Sequence, residues 1–355
     1  MTHPYRLSEN DARFQAVASL LAKDVLGPHA ADVDAQARFP EESLETIRRH
    51  GLLGLCVPSA LGGEGAGMRA FAAVTEELAS GCASTAMIYV MHVSAAQAIA
   101  SSSTLQDRDL LLRRIAAGDH LTTLAFSERG SRSQFWAPVS RLAQVNGHLE
   151  TKAEKSWVTS AEHADSYVAS GLKPGAQGPL ESTVYLVRRK ASGVKTAGRF
   201  DGLGLRGNDS KPVSFEDVKV SEGDLVSRQG EGAATMLQVV LPWFSVGTAA
   251  MSHGLCRSAV ALTTAHLTSA GFQNSGTQLR DLPNLRARLA EMSVKTEQSR
   301  ALLGHTLDHL FEGSPAGPLF VLQARVAALE AALQVTDLAM KACGGAAFSR
   351  HLGLE

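Results

Sequence analysis

Four scattered cysteines, two histidines in apolar stretches, an aromatic pair and a double glycine are the residues whose types and places could carry chemistry. Cys56, Cys82, Cys256 and Cys343 form no CxxC pair. Such spacing argues against a disulfide framework and a structural zinc site, and it suits a reducing compartment. No metal is expected. His92 and His253 each read as a hydrogen-bonded core histidine. Trp157, in KSWVTSA (155–161), taken alone reads as a core aromatic on a strand. Trp243 and Phe244 set two aromatic faces side by side. Gly344 and Gly345 follow Lys341 where a helix would end, and lacking a Cβ they also let a backbone approach a ligand closely.

The chain that must position these residues has 355 residues, 45% hydrophobic and 19% charged, enough for two or three core-forming units and far from a disordered composition. Lys+Arg 34 against Asp+Glu 35 leaves a formal charge of −1, without the basic footprint that a nucleic-acid partner requires. The first residues, MTHPYRLSENDARF, lack the apolar run of a secretory signal. Ser84 to Ser103 is membrane-like in length, but it carries His92 and Gln97 and ends in Ala and Ser; it reads as a buried core helix. The expectation is a cytoplasmic protein with no membrane partner.

Three regimes of pattern follow one another. Residues 1–120 read as an α-helical domain. Phe14, Val17, Leu20, Leu21 and Val25 fall on one helical stripe, a second helix runs from Pro40 to Gly51, and Met68, Phe71, Val74 and Leu78 make a third stripe. Residues 121–235 read as a mostly antiparallel β domain, with LTTLAFS, STVYLVRR and KPVSFEDVKV as strands between turns such as KPGAQGP and GLRGNDS. Residues 236–355 return to helix, with Leu285–Leu302 and Leu319–Met340 expected in an antiparallel bundle. An extended coiled coil would need sustained a/d heptads, which this reading does not find. The fold class is therefore α+β, in the order helical, β, helical.

That order, with its junction motifs, resembles the acyl-CoA dehydrogenase family of flavoproteins over essentially the whole chain. VPSALGGEG (57–65) is similar to the family's VPxxYGGxG turn, FSERGSRSQ (126–134) to its TEPxxGSD flavin loop and KSWVTSA to K-x-W-I-T-N. VSFEDVKV (213–220) resembles V-x-F-x-D-V-x-V, and KACGGAAF (341–348) the QxxGGxGF segment. The resemblance implies FAD. A flavin ring needs a broad aromatic or apolar wall with small donors at its rim. Trp157, Val158 and Thr159 are then expected at the ring, Leu124, Phe126 and Ser127 face it from the preceding loop, and Ser133 lies near pyrophosphate or ligand. Gly344 and Gly345 are implied to touch the flavin nucleotide of a neighbouring subunit, so a homo-oligomer, dimer or tetramer, is expected.

Departures from the family pattern bear on mechanism. Dehydrogenation of an acyl thioester needs a carboxylate for the α-proton. The family's usual Glu lies in a segment past GGxGF, and is therefore expected beyond Glu355 or absent; Glu355 itself is not the base. A domain shortened at its C-terminal end is the corresponding expectation. Relatives with the Glu on an earlier helix would place it near Phe244. The D-x-x-R pair for the acyl-CoA chain is replaced by Pro242, Trp243, Phe244 and Ser245, making Trp243 and Phe244 an apolar substrate wall, with Ser133 also on the substrate side. Phe272 stands where a pyrophosphate-neutralising Arg is usual, with Arg280 and Arg286 nearby. Arg129 and Gln134 replace Pro and Asp in the flavin loop; Arg129 and Arg132 either add charge near phosphate or are solvated.

The resemblance implies an FAD-dependent oxidoreductase in fatty acid metabolism that dehydrogenates an acyl-CoA or related small ligand and passes electrons to an acceptor. The departures keep open a reduced-flavin monooxygenase or N-hydroxylase served by a flavin reductase, in which His92 or His253 would face the flavin, and also a catalytically silent paralogue.

Overall fold

The computed structural model describes residues 3–132, 134–198 and 201–354. The chain forms two compact units. One comprises the N-terminal residues through Ala31, Met68–Ala86 and Ser245 onward; the other comprises Asp32–Gly67 and Met87–Phe244. The order of elements is helices, then strands, then helices, the expected α+β class.

Helix α1 (Glu9–Leu21) starts at Ser8, whose hydroxyl accepts the Asp11 N–H while the Asp11 carboxylate takes the Ser8 N–H, a reciprocal cap that satisfies two otherwise orphaned donors. A π-helical turn, Ala22–Leu26, joins it to α2 (Gly27–Gln36). This turn corrects the stripe read from the sequence. The buried face is Phe14, Ala18, Leu21, Ala22 and Leu26, whereas Leu20 is exposed and Val25 half-buried. One extra residue per turn in the π segment rotates the inward position from 25 to 26. The second expected helix is α3 (Glu41–Arg49), with Gly51 left-handed at its end. Helix α4 (Met68–Gly81) buries Phe71, Val74 and Leu78 as its spacing predicts.

Helix α5 (Ala83–Ser101) is buried on every side, with Tyr89, Val90, His92, Val93 and Ile99 all inaccessible, and α6 (Arg108–Ala116) follows. A short α7 (Gly232–Ala234) leads through a second π segment into α8 (Leu241–Ser269). By length and apolarity, α5, Gly232–Ser269 and Gly317–Phe348 could each cross a bilayer.

Two long helices complete the chain, α9 (Pro283–Phe311) and α10 (Gly317–Cys343). Cys256 and Ala259 of α8, Met292 of α9, and Val335 and Ala339 of α10 share one core cluster, the expected helix-on-helix packing. One feature was missed. Leu319, Leu322, Val326, Leu329 and Leu333 on α10 are all exposed, at alternating spacings of three and four. That is an a/d seam facing outward.

Among the described residues the β region has seven strands: β1 (Thr122–Ala125), β2 (Leu142–Val145), β3 (His148–Val158), β4 (Ser166–Leu172), β5 (Ser182–Arg188), β6 (Val194–Thr196) and β7 (Lys211–Val220). They make two sheets, ordered β1-β4-β5 and β2-β3-β7-β6. Only β1 with β4 is parallel among these pairs. Strand alternation gives the first sheet two apolar faces. Ala125, Tyr167, Ala169, Tyr185 and Val187 meet the second sheet. Leu124, Phe126, Val168, Val184 and Leu186 pack on α5, α6 and Met236. This first sheet therefore carries the end of β1 between a sheet and a helix.

Candidate functional site: an aromatic pocket at the ends of two strands

The pocket opens where β1 and β3 end. Its lining comprises Met91, Leu124, Ala125, Phe126, Ser127, Phe135, Ser156, Trp157, Val240 and Phe244, around a cavity of about 110 Å3. Leu124 and Phe126 reach it because they lie on the helix-facing side of β1. Their backbone is placed by the parallel pairing to β4 and by His92, whose Nδ1 accepts the Thr122 N–H (3.1 Å). With Nδ1 accepting, the proton sits on Nε2, which donates to the Leu53 carbonyl (3.1 Å). Burial pushes the His92 pKa down to about 4, against hydrogen bonds with Leu53 and Thr122. His92 is thus a neutral core histidine.

Trp157 presents its indole differently. The β3–β7 register shifts between Lys155 and Val158, and Trp157 has φ +56, a left-handed backbone that costs a non-glycine residue roughly 1–2 kcal/mol. Its side chain is 57% exposed, so it is no core aromatic. Two segments distant in sequence meet here, since the Ser156 N–H donates to the Ser127 carbonyl (2.9 Å). Among the described residues the Ser127 hydroxyl has no protein partner.

Of the residues expected from sequence, Leu124, Phe126, Ser127, Trp157 and Phe244 come together in this pocket. Val158 does not line it. Alternation resumes after the bulge and turns its side chain into the sandwich core. Thr159 is also buried, within 3.3 Å of the Ser210 hydroxyl. Trp243 is half-buried and absent from the lining, because adjacent helical residues project about 100° apart and only one can face the pocket. Ser133 and Glu355 lie outside the described residues.

Gly344 and Gly345 belong to the other compact unit, in a 3-10 turn directly after α10. Gly344 has φ +58, and no atom lies within 4 Å of where either Cβ would stand. They end the helix and leave an open backbone surface. Arg129, Arg132, Phe272, Arg280 and Arg286 are all exposed. His253 is inaccessible. Tyr5 gives its hydroxyl hydrogen to Glu76, so His253 Nδ1 carries a proton and donates to the Tyr5 oxygen (2.9 Å). Burial first, then the nearby Arg300, lowers the His253 pKa to about 3.

Sequence reasoning missed Met91, Ala125, Phe135, Ser156 and Val240. Phe135 carried a legible signal, as half of an aromatic pair, Phe135–Trp136, inside a loop otherwise rich in Ser, Arg and Gly. Its ring lies 6.2 Å from Phe126 and nearly parallel, with Trp136 edge-on at 5.3 Å. The donor set fits a flavin. An exposed indole and two parallel phenyl rings offer flat apolar contact, and the free Ser127 hydroxyl offers a rim hydrogen bond. No acidic side chain is among the described lining residues.

Comparison with known proteins covers the whole chain. The acyl-CoA dehydrogenase N-terminal domain matches residues 8–119, the middle domain 123–218 and the C-terminal domain 230–355. Cyclohex-1-ene-1-carbonyl-CoA dehydrogenase of Geobacter metallireducens is 25% identical over 331 residues, 93% of this chain and 86% of that protein. The mitochondrial short-chain specific acyl-CoA dehydrogenase of Bos taurus is 27% identical over 337 residues, 94% and 80% of the two chains. Among solved structures, butyryl-CoA dehydrogenase from Megasphaera elsdenii superposes with a TM-score of 0.91 at 20% identity, covering 97% and 90%. The FAD complex of PigA gives 0.90 at 19%, covering 98% and 91%.

Proposed function

The chain belongs to the acyl-CoA dehydrogenase family, matched in each of its three domains, and from that premise we propose an FAD-dependent α,β-dehydrogenation of an acyl-CoA or related small ligand at the Trp157 pocket. The observation that carries the reading is Trp157 itself, an indole held largely exposed on left-handed backbone beside Phe126 and Ser127. When bound, FAD would supply the two-electron acceptor for the β-hydride; the α-proton needs a carboxylate base, and no acidic side chain is among the described lining residues. Trp157, Leu124 and Phe126 would hold its flat ring and Ser127 its polar rim. Met91, Phe135, Val240 and Phe244 form the apolar remainder of the wall, which excludes water from the reacting ligand. The electrons would then leave to a separate acceptor, and a place in fatty acid metabolism is supported by the similarity to acyl-CoA dehydrogenases. Anaerobic titration of the flavin-loaded protein with acyl-CoAs of graded chain length tests this. Bleaching of the visible flavin band by one of them supports it, and an unchanged spectrum across the panel overturns it.

A homo-oligomer, dimer or tetramer, is supported by the outward a/d seam of α10, a continuous apolar strip that a second copy would cover. A cytoplasmic setting is supported by the four cysteines, none of which is in a disulfide. A second reading, a monooxygenase supplied with reduced flavin, is favoured by the acid-free lining and by Phe244 in place of a charged residue. Incubation of ligand with reduced flavin and isotopically labelled dioxygen decides it, because product without label removes that reading.

A further inference from the structure

Resting on the FAD reading above, we propose that the buried ion pair Glu128–Lys155 is the positioning element of the flavin platform, setting the flavin loop and the Trp157 bulge in one register. Glu128 directly follows Ser127, and Lys155 lies two residues before Trp157. Lys155 Nζ donates to Glu128 Oε1 at 2.5 Å and to the Ser170 carbonyl at 2.6 Å. Glu128 Oε2 accepts the backbone N–H groups of Val139 (2.6 Å) and Ser140 (2.8 Å), while Oε1 also accepts the Ser140 hydroxyl (2.5 Å). One carboxylate therefore closes the loop of residues 128–140, which carries Phe135. One ammonium ties that closed loop to β3 and to β4.

The pair is almost wholly desolvated, with side-chain exposures of 4% and 0%. Burial works to raise the Glu128 pKa. The Lys155 charge and the hydrogen bonds from Lys155 and Ser140 hold it below the usual carboxylate range. Desolvation makes such a pair weak as a source of net stability, and an apolar pair of equal volume is commonly as stable. Here an apolar pair would strand the backbone N–H groups of Val139 and Ser140 and leave the Ser170 carbonyl only the Tyr185 hydroxyl at 3.4 Å. Its use is geometric: the strained backbone at Trp157 needs a fixed anchor just before it, and Lys155 is the last paired residue ahead of the register shift.

The test compares the FAD-loaded wild type with Lys155→Met and with the double variant Lys155→Met/Glu128→Gln, reading FAD dissociation constant, visible circular dichroism of bound FAD, and Tm. Lys155→Met leaves a lone buried carboxylate, so Tm falls and FAD binds at least about tenfold more weakly. The double variant removes both charges and regains most of the Tm. A positioning role predicts that its FAD affinity stays about tenfold down and its flavin dichroism stays altered. Affinity and dichroism that return together with Tm, or that never change in Lys155→Met, overturn the proposal. Wild-type protein that takes up no FAD overturns the functional reading and this one with it; a wild type that binds FAD leaves the variants reporting on the ion pair alone.

Discussion

Two buried charge clusters, one in each compact unit, are built alike and hold different things. In the helical unit Glu76 accepts from Tyr5 and from Arg257 (2.9 Å), pairs with Arg300 (3.0 Å), and shares Arg257 with Glu77 (3.0 Å). Tyr5 continues to His253, which meets the Ser299 hydroxyl at 2.7 Å. In the β region a single carboxylate and a single ammonium, Glu128 and Lys155, join three segments. The carboxylates of both clusters are desolvated, although Arg257 keeps 36% of its side chain exposed, and both clusters connect residues far apart in sequence. The helical cluster fastens regular elements, α4 with α8 and α9 and the chain around Tyr5, where Arg6 next to it is left-handed at φ +49. The other stands two residues from a left-handed, exposed tryptophan. A buried charge marks a joint; what sets the second joint apart is that it stands beside an exposed aromatic ring lining a pocket, not a solvated arginine.

The largest expected effect tests the first cluster. Glu76→Ala leaves Arg300 and the Tyr5 hydroxyl without their main acceptor, and urea unfolding should show a loss of about 3–5 kcal/mol. A loss under about 1 kcal/mol would mean that the helical cluster is no joint at all.

The histidines sharpen the same contrast, one in each unit with opposite tautomers. Both folded pKa values, about 4 for His92 and about 3 for His253, lie below the unfolded value near 6.5. The native state therefore binds fewer protons. Stability is fully present above pH about 6.5 and falls as pH drops toward 4 and then 3, on the order of 3 kcal/mol for His92 and 5 kcal/mol for His253. Chemical denaturation between pH 7 and 4 checks the slope, which His92→Gln should reduce.

A smaller effect separates holding from being held. Trp157→Gly relieves positive φ, so unfolding stability should stay within about 1 kcal/mol of wild type. FAD affinity should still fall more than about tenfold. A stability loss of several kcal/mol would make Trp157 a packing residue instead.

The smallest change in chain stability belongs to the outward seam of α10. Val326→Glu with Leu329→Glu should alter monomer stability by no more than about 0.5 kcal/mol per site. Sedimentation should nonetheless show the proposed homo-oligomer reduced to monomers. An unchanged oligomer would place the contact elsewhere and leave Trp157 as the exposed apolar group with a role.

Much of the fold was legible because periodicity is local. Phe71, Val74 and Leu78 are buried where a 3.6-residue period puts them, and LTTLAFS, STVYLVRR and KPVSFEDVKV contain the strands β1, β5 and β7. Half of the pocket was legible too, since Leu124, Phe126, Ser127 and Trp157 sit in motifs whose residue types suit a flat aromatic ligand. Leu26 was not, because a π turn is an error in the period that only packing reveals. Phe135 was legible only as half of an aromatic pair, because nothing local says which way a loop aromatic points.

By itself the sequence determined the α–β–α order, the family, and several side chains that line the pocket, since composition, period and short motifs are properties of neighbours along the chain. Tertiary structure decided which of Trp243 and Phe244 faces the pocket, why Val158 turns away while Trp157 stands out, and that Glu128 and Lys155, 27 residues apart, are partners. Those choices depend on which distant group removes water from a side chain, and desolvation is settled only when the whole chain has packed.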